Sequence, residues 1–362
     1  MGTGTWLQGR VDPAMGQDLQ TLVTSPTSTA LAREHWKYTR IDKITALLDG
    51  LGDAQPAGLN GLGQPGLTVA FDVQPDDREL ALLSTRSTYC PATAKALLTA
   101  RSIDRVVIEE DLQEPLVVLR TDARRPLMIS ITQGISARIH DLSTSDSGWL
   151  IVEQQADSKL DFTRLHTPTE AARWHQLQFV LNRNAALSLQ HYCTGTSLSR
   201  LDVFIGLMGS GSSADVHSCW MADEKDHLDQ QWHVEHHAPH TRSAQVQHGI
   251  ADGKAVTTYR GRIFIGVDCP DVDASLINRN LSLSSSAVCN TKPELEINTD
   301  DVRCSHGATV GQLPEESVFY FQSRGVDRET ARQMLAAGFI NQCLRGDLAD
   351  VARLRMLGIA NE

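Results

Sequence analysis

The reading of this sequence turns on Thr291-Lys-Pro-Glu-Leu-Glu-Ile-Asn-Thr-Asp-Asp-Val-Arg-Cys-Ser-His-Gly-Ala-Thr-Val-Gly311. It begins as a short run of β-formers, Pro293 to Ile297. If strand continues through its end, Cys304 and His306 project to one face, because alternate residues of a strand share a side. A thiolate and an imidazole aimed at one point are suitable donors for iron–sulfur chemistry. Two donors cannot complete a cluster, so the rest would come from another chain. By itself a Cys-x-His pair is also compatible with plain structural burial.

Upstream, from about Pro115, the chain is a series of short runs rich in β-formers: Leu116 to Leu119, Leu127 to Thr132, Trp149 to Val152, Trp174 to Leu181 and Leu201 to Ile205. The series continues through Val256 to Tyr259 and Gly261 to Val267 before reaching Pro293. Such runs, divided by polar or glycine-bearing turns with almost no helical interlude, predict an all-β sandwich, a barrel or a stacked β-solenoid. Pattern alone does not choose among the three, and no hexapeptide or glycine repeat is visible.

The flanks have a different texture. After Arg324-Gly325, Asp327 stands as an N-cap before Ala331, Leu335, Phe339 and Cys343 at helical spacing, and Asp347 precedes Leu348, Val351, Leu354 and Met356. Two amphipathic helices are expected there, either as a cap over the β region or as a docking surface built on Leu335, Phe339, Leu348 and Val351. At the other end, residues 1–30 read as a poorly ordered leader. Residues 31–114 read as a small α/β or helical domain, with helical spacing up to Leu48, a Gly/Pro-rich stretch from Gly50 to Gly66, an apolar run Leu67 to Phe71 and a helix including Ala92 to Ala100. The expected division is thus 1–30, 31–114, a β core over 115–323 and a helical tail over 324–362.

The bulk numbers exclude several functions. A chain of 362 residues exceeds the size at which a single compact core stops growing, which favours several domains or one elongated architecture. A net charge of -11 argues against nucleic acid as the main partner, since phosphate binding is carried by clustered Lys and Arg. The seven cysteines form no CxxC pair and no zinc or disulfide spacing, which suits reduced thiols in a cytosol. No stretch approaches the roughly 20 apolar residues of a membrane span. A soluble, cytoplasmic protein with no membrane partner is expected.

Two other motifs invite chemistry. Trp232-His-Val-Glu-His-His-Ala-Pro-His240, with His227 and His248 nearby, places His233, Glu235 and His237 on one face if it is a strand, a set able to bind zinc or iron. It is not HExxH, and Pro239 interrupts it; the plainer reading is polar strand and turn side chains, the sharper one a cupin-like metalloenzyme. Gly209-Ser-Gly-Ser-Ser213 lacks the Lys and the spacing of a nucleotide loop and reads as a turn. Without a nucleophile elbow either, catalysis by this chain alone has no support.

Three segments together carry a resemblance. Lys292 to Ile297, Asp300 to Gly311, and Phe319-Tyr-Phe-Gln-Ser-Arg-Gly325 followed by Ala331 and Phe339 resemble the C-terminal signature of the SufB/SufD family, and Glu34-His-Trp-Lys-Tyr-Thr39 is similar to the short aromatic motif of its SufD branch. The resemblance implies a right-handed parallel β-helix flanked by N- and C-terminal helical regions. It also implies a scaffold for iron–sulfur cluster assembly that is not an enzyme in its own right. The implied partners are a SufB-like subunit and a SufC-type ABC ATPase docked on the C-terminal helices, with a homodimer as the state of the chain alone. Cys304 and His306 match the interfacial motif, His306 as the better ligand, for iron or a transient cluster that the isolated chain would not hold tightly.

Overall fold

In the computed structural model, residues 41–50, 54–84, 102–166, 171–195 and 197–356 are described, with a few isolated positions between 37 and 100. The leader expected over 1–30, most of the Glu34 to Thr39 motif and most of the Ala92 to Ala100 helix lie outside the described residues.

Two nine-stranded sheets form the body. One, the even sheet, contains β1 (Gly58–Asn60), β4 (Leu116–Arg120), β6 (Ser136–Asp141), β8 (Lys159–His166), β10 (Ala186–Thr194), β12 (Ser213–Ala222), β14 (Arg242–Ala251), β16 (Val272–Ser282) and β18 (Val302–Gln312), in that order. The odd sheet runs β2 (Leu67–Val73), β3 (Ile103–Ile108), β5 (Leu127–Ile131), β7 (Ser147–Gln154), β9 (Ala172–Leu181), β11 (Leu198–Leu207), β13 (His227–His236), β15 (Val256–Ile265) and β17 (Val288–Ile297). From β3 onward every strand pairs in parallel with the strand two places on, so the chain winds alternately through the two sheets as a parallel β-solenoid. Among the described strands, only β1 with β4 and β2 with β3 pair antiparallel. The boundary expected between 114 and 115 therefore falls inside continuous sheet, since β3 is hydrogen-bonded to β5.

What recurs on each rung is a backbone conformation. At the turns from the odd to the even sheet, from β5–β6 onward, a residue adopts positive φ: Gly134, Asp157, Asn184, Gly211, His240, Asp271 and Asp301, with Asp268 a second at the β15–β16 turn. Gly, Asn and Asp tolerate this left-handed region best. The turns stack through backbone bonds, Gly134 N to Ala156 O at 3.0 Å, Asp157 N to Arg183 O at 2.8 Å and Asn184 N to Ser210 O at 2.9 Å. Rung length drifts meanwhile, from 23 residues between Asp141 and Arg164 to 32 between Thr258 and Asn290.

Between the sheets lies a continuous apolar core, including Leu127, Ile139, Phe162, Phe179, Val203, Val234 and Ile263. Through it passes a file of buried polar side chains, each the register partner of the next: Asp141, Arg164, His191, Ser218, Gln247 and Asn278. Asp141 is ion-paired to Arg164, and His191 Nδ1 lies 2.9 Å from Ser218 Oγ. Such pairing offsets part of the cost of burial, although Arg164 Nε and Nη2, His191 Nε2 and Gln247 Oε1 have no hydrogen-bond partner among the described residues.

Helices cover parts of the outer faces. Ile44 and Leu48 of α1 (Ile41–Gly50) and Leu80 and Leu83 of α2 (Asp77–Ser84) pack on Trp149, Ile151 and Trp174 of the odd sheet. At the other end follow α3 (Glu315–Gln322), α4 (Arg328–Asn341) and α5 (Ala349–Met356). Asp327 caps α4, accepting from Thr330 N at 3.0 Å, as its position before the apolar periodicity predicts. Ala336, Ile340, Cys343, Ala352 and Met356 then close over Tyr192, Cys219 and Ile250 of the even sheet.

Candidate functional site

Among the described residues the solenoid ends without a lid at β17 and β18, each an outermost strand of its sheet. An outermost strand leaves one row of backbone N–H and C=O groups unpaired with sheet, a template for another strand. Cys304 pairs with Ala274 and His306 with Leu276, and these two partners, 1 % and 0 % exposed, belong to the inner core. Cys304 and His306 therefore share the inward face, at a level where no further rung covers them. Cys304, half-buried, packs on that core beside Leu295 and Val302, whereas His306 is exposed. Burial raises the Cys304 thiol's pKa, so in the free chain it is held protonated. Across the interior, Thr291 of β17 donates to Asn278 Oδ1 at 2.7 Å, so the buried polar file reaches the open end. Gly307 and Gly311 face open space on β18.

Among the described residues no group of three or more His, Cys, Asp and Glu is arranged to hold a metal ion. Cys304 and His306 nonetheless share one face of the strand, as the spacing predicts.

The histidine-rich segment is β13 and the turn after it. His233 and Glu235 are buried, His233 stacked on Phe204 with ring centroids 5.1 Å apart, and Glu235 lies 3.0 Å from Nε2 of His237, beyond the strand's end. His236 faces inward, its two ring nitrogens 2.7 Å from Thr241 Oγ1 and 3.0 Å from Ser243 Oγ, and burial lowers its pKa to about 4. His240 is a positive-φ turn residue, its Nδ1 3.1 Å from Asp271. His248 receives the tail: its Nδ1 lies 2.9 Å from the Phe339 carbonyl and its ring stacks on the Phe339 ring. These imidazoles make turn, stacking and packing contacts. Gly209 to Ser213 forms the β11–β12 turn, with Ser212 donating to the Gly209 carbonyl at 2.7 Å.

Of the four apolar residues singled out on the tail, Leu335, Phe339 and Leu348 are half-buried, and Phe339 and Leu348 pack toward the even sheet; Val351 is 40 % exposed. More exposed are Phe319 at 70 %, Tyr320 at 54 % and Met334 at 48 %. Phe319 and Tyr320 lie in a segment already marked by its resemblance, yet the helical spacing that drew attention starts after it.

Comparison with known proteins accords with this geometry. The profile of the SufBD core domain of SUF-system FeS cluster assembly matches residues 116–339. The iron–sulfur cluster assembly protein SufD of Escherichia coli is 26% identical over 90% of this chain and 87% of its own length. A SufBD family protein of Synechocystis sp. is 42% identical over 29% of this chain and 23% of its own, and one of Mycobacterium leprae 27% identical over 49% and 47%.

Proposed function

The chain belongs to the SufBD family of SUF-system iron–sulfur cluster assembly proteins, and on that basis we propose that it is a SufD-type scaffold subunit whose open end meets a SufB-like subunit. The observation that carries the reading is the placement of Cys304 and His306 on the inward face of the last, uncovered strand. A nascent cluster is the cargo of such a junction. His306 offers an imidazole without disturbing the core, while Cys304 must lose a proton that burial favours keeping, so metal binding there is coupled to proton release. The remaining ligands come from the facing subunit. The C-terminal helices, with Phe319, Tyr320, Met334 and Val351 exposed, are the proposed seat of a SufC-type ATPase.

The test is reconstitution with a SufB-like subunit and a SufC-type ATPase, following complex size, cluster absorbance, iron and sulfide. His306→Ala is expected to leave the solenoid and its assembly intact, because a terminal rung contributes little to the stacked core. It should reduce cluster formation more than Cys304→Ala does. A His306→Ala complex that assembles normally and builds clusters at the unmodified rate removes this residue from the mechanism and leaves a purely structural subunit.

A further inference from the structure

Under the C-terminal helices, on the outer face of the even sheet, lies a cluster that the assembly reading does not use. His217 and Cys219 project from β12 two positions apart, and His248 of β14 is the register partner of Cys219. Cys343, just past the end of α4, sets its sulfur onto this surface. Its Sγ lies 3.2 Å from the carbonyl of Ser218 and 3.2 Å from that of Val246, the register partner of His217. The Cys219 sulfur lies 3.8 Å from the carbonyl of Ile340, three residues before Cys343. Each thiol therefore reaches the backbone beside the other, one from the sheet and one from the tail.

The surroundings divide the roles of the two sulfurs. Asp215, its Oδ1 3.6 Å from His217 Nε2, raises the imidazole's pKa to about 9, with the Cys343 side chain adding to the effect, so His217 is a cation at neutral pH. The Cys219 thiol first, then His217 and His248, draw the pKa of Cys343 downward, while burial drives that of Cys219 upward. The Cys343 thiol donates to the Ser218 and Val246 carbonyls, and loss of that proton leaves one thiolate beside one thiol, the pairing that lets a first sulfur attack and a second resolve. A cavity of about 260 Å³, lined by His140, Gln190, Asp215, His217 and Arg345 among others, adjoins the imidazole and admits a small molecule.

We propose that Cys343 and Cys219 form a redox-active dithiol whose substrate is a peroxide, Cys343 as the attacking sulfur and Cys219 as the resolving one. The Cys343 thiolate attacks one peroxide oxygen and the O–O bond breaks. The departing oxygen leaves as water, taking a proton from His217, and Cys343 becomes a sulfenic acid. The Cys219 sulfur then attacks the Cys343 sulfur, displacing the hydroxyl group, which leaves as a second water with the Cys219 proton. Two thiols are oxidised by two electrons and one peroxide is reduced. The resulting bond ties the tail to β12 covalently.

The experiment uses the reduced full-length protein, treated with a few equivalents of hydrogen peroxide, alkylated and digested without reductant. A linked peptide containing Cys219 and Cys343 is expected before any modification of Cys289 or Cys304, both of which are more exposed. Cys219→Ser should trap Cys343 as a sulfenic acid that reacts with a dimedone probe, and His217→Gln should slow formation of the linked peptide about tenfold. Should the variants fold poorly, mapping of the unsubstituted protein decides alone. Oxidation of Cys289 and Cys304 while Cys219 and Cys343 stay reduced overturns the proposal, as does linkage that appears only after denaturation.

Discussion

Tyr192 and Arg345, 153 positions apart, hold each other by two hydrogen bonds: the tyrosine hydroxyl donates to the Arg345 carbonyl and accepts from the Arg345 N–H at 2.8 Å. One side chain of the even sheet thereby fixes the segment that joins α4 to α5. Tyr192→Phe should leave both backbone groups without that partner, at a cost of about 1–3 kcal/mol to attachment of the tail. Hydrogen exchange should rise over residues 343–356 while protection of the solenoid is unchanged. Equal protection of the tail in both proteins would show that it is anchored elsewhere.

Acid should destabilise the protein before most of its carboxylates titrate, the buried Asp229, whose pKa burial raises to about 6, acting in the opposite direction. Burial above all holds His166, His175, His191 and His236 neutral, with pKa values lowered to about 3 for His191 and about 4 for His236. Unfolded, they would titrate near 6.5, so below that pH the unfolded chain takes up protons that the folded chain refuses. Their contribution is complete above about pH 6.5 and is lost as pH falls toward the folded values. His217 has the opposite sign: its pairing with Asp215 contributes fully below its unfolded pKa and is lost as pH rises through about 9. Urea midpoints measured from pH 4 to pH 10 should therefore peak near neutrality, and a midpoint still climbing from pH 6.5 down to 4.5 would contradict this account.

Gly134 isolates the requirement of the stacked turn. Its φ is +77° and a Cβ there would meet nothing within 4 Å, so substitution tests backbone conformation without a clash. Gly134→Ala should destabilise by about 1–2 kcal/mol. Gly134→Asn should cost less, as the Asn184 and Asp157 turns imply. Indistinguishable denaturation midpoints for the two variants would separate the turn conformation from stability.

On the tail, exposure separates docking from capping. Phe319→Asp with Val351→Asp should weaken capture of a SufC-type ATPase by tenfold or more, about 1.4 kcal/mol, because a charge in a desolvated contact is costly. Leu348→Asp, on a half-buried side chain facing the even sheet, should instead lower the melting temperature. Undiminished capture by the folded double variant would assign these helices to the cap alone.

Much of the odd sheet was legible in the sequence, though β3 has no counterpart in the runs and β13 only a conditional one. The runs from Leu127, Trp149, Trp174 and Leu201 are β5, β7, β9 and β11, whose outer faces are also largely buried, so apolar residues follow one another without alternation. Val256 to Tyr259 and Gly261 to Val267, read as two runs, make the single strand β15 with its continuation. The even sheet was far harder to read. β6, β8, β10, β12, β14 and β16 mix an outer polar face with inward Arg164, His191, Gln245 and Gln247, and such strands resemble loops. The repeat has no local trace because it is a positive-φ residue at each odd-to-even turn from β5 onward, supplied by Gly, Asp, Asn or His, at a spacing that changes. Cys304 and His306 could be paired because two positions on one strand are a local fact. The meeting of Cys219 with Cys343 depends on how the tail folds back and has no local trace.

The lengthening of the rungs gives the molecule a flare. β5 and β6 have 5 and 6 residues, β17 and β18 have 10 and 11, so at about 3.3 Å per residue the strands grow from about 17–20 Å to about 33–36 Å. At the narrow end the outermost strands are the short antiparallel β1 and β2, and at the wide end β17 and β18 are uncovered among the described residues. A second solenoid stacked wide end on narrow end would leave roughly half of each long strand's ladder groups facing nothing, whereas wide end on wide end matches them in full. The gradient in strand length is thus a geometric reason to expect pairing at the wide end, the junction proposed for the SufB-like subunit, in place of head-to-tail stacking.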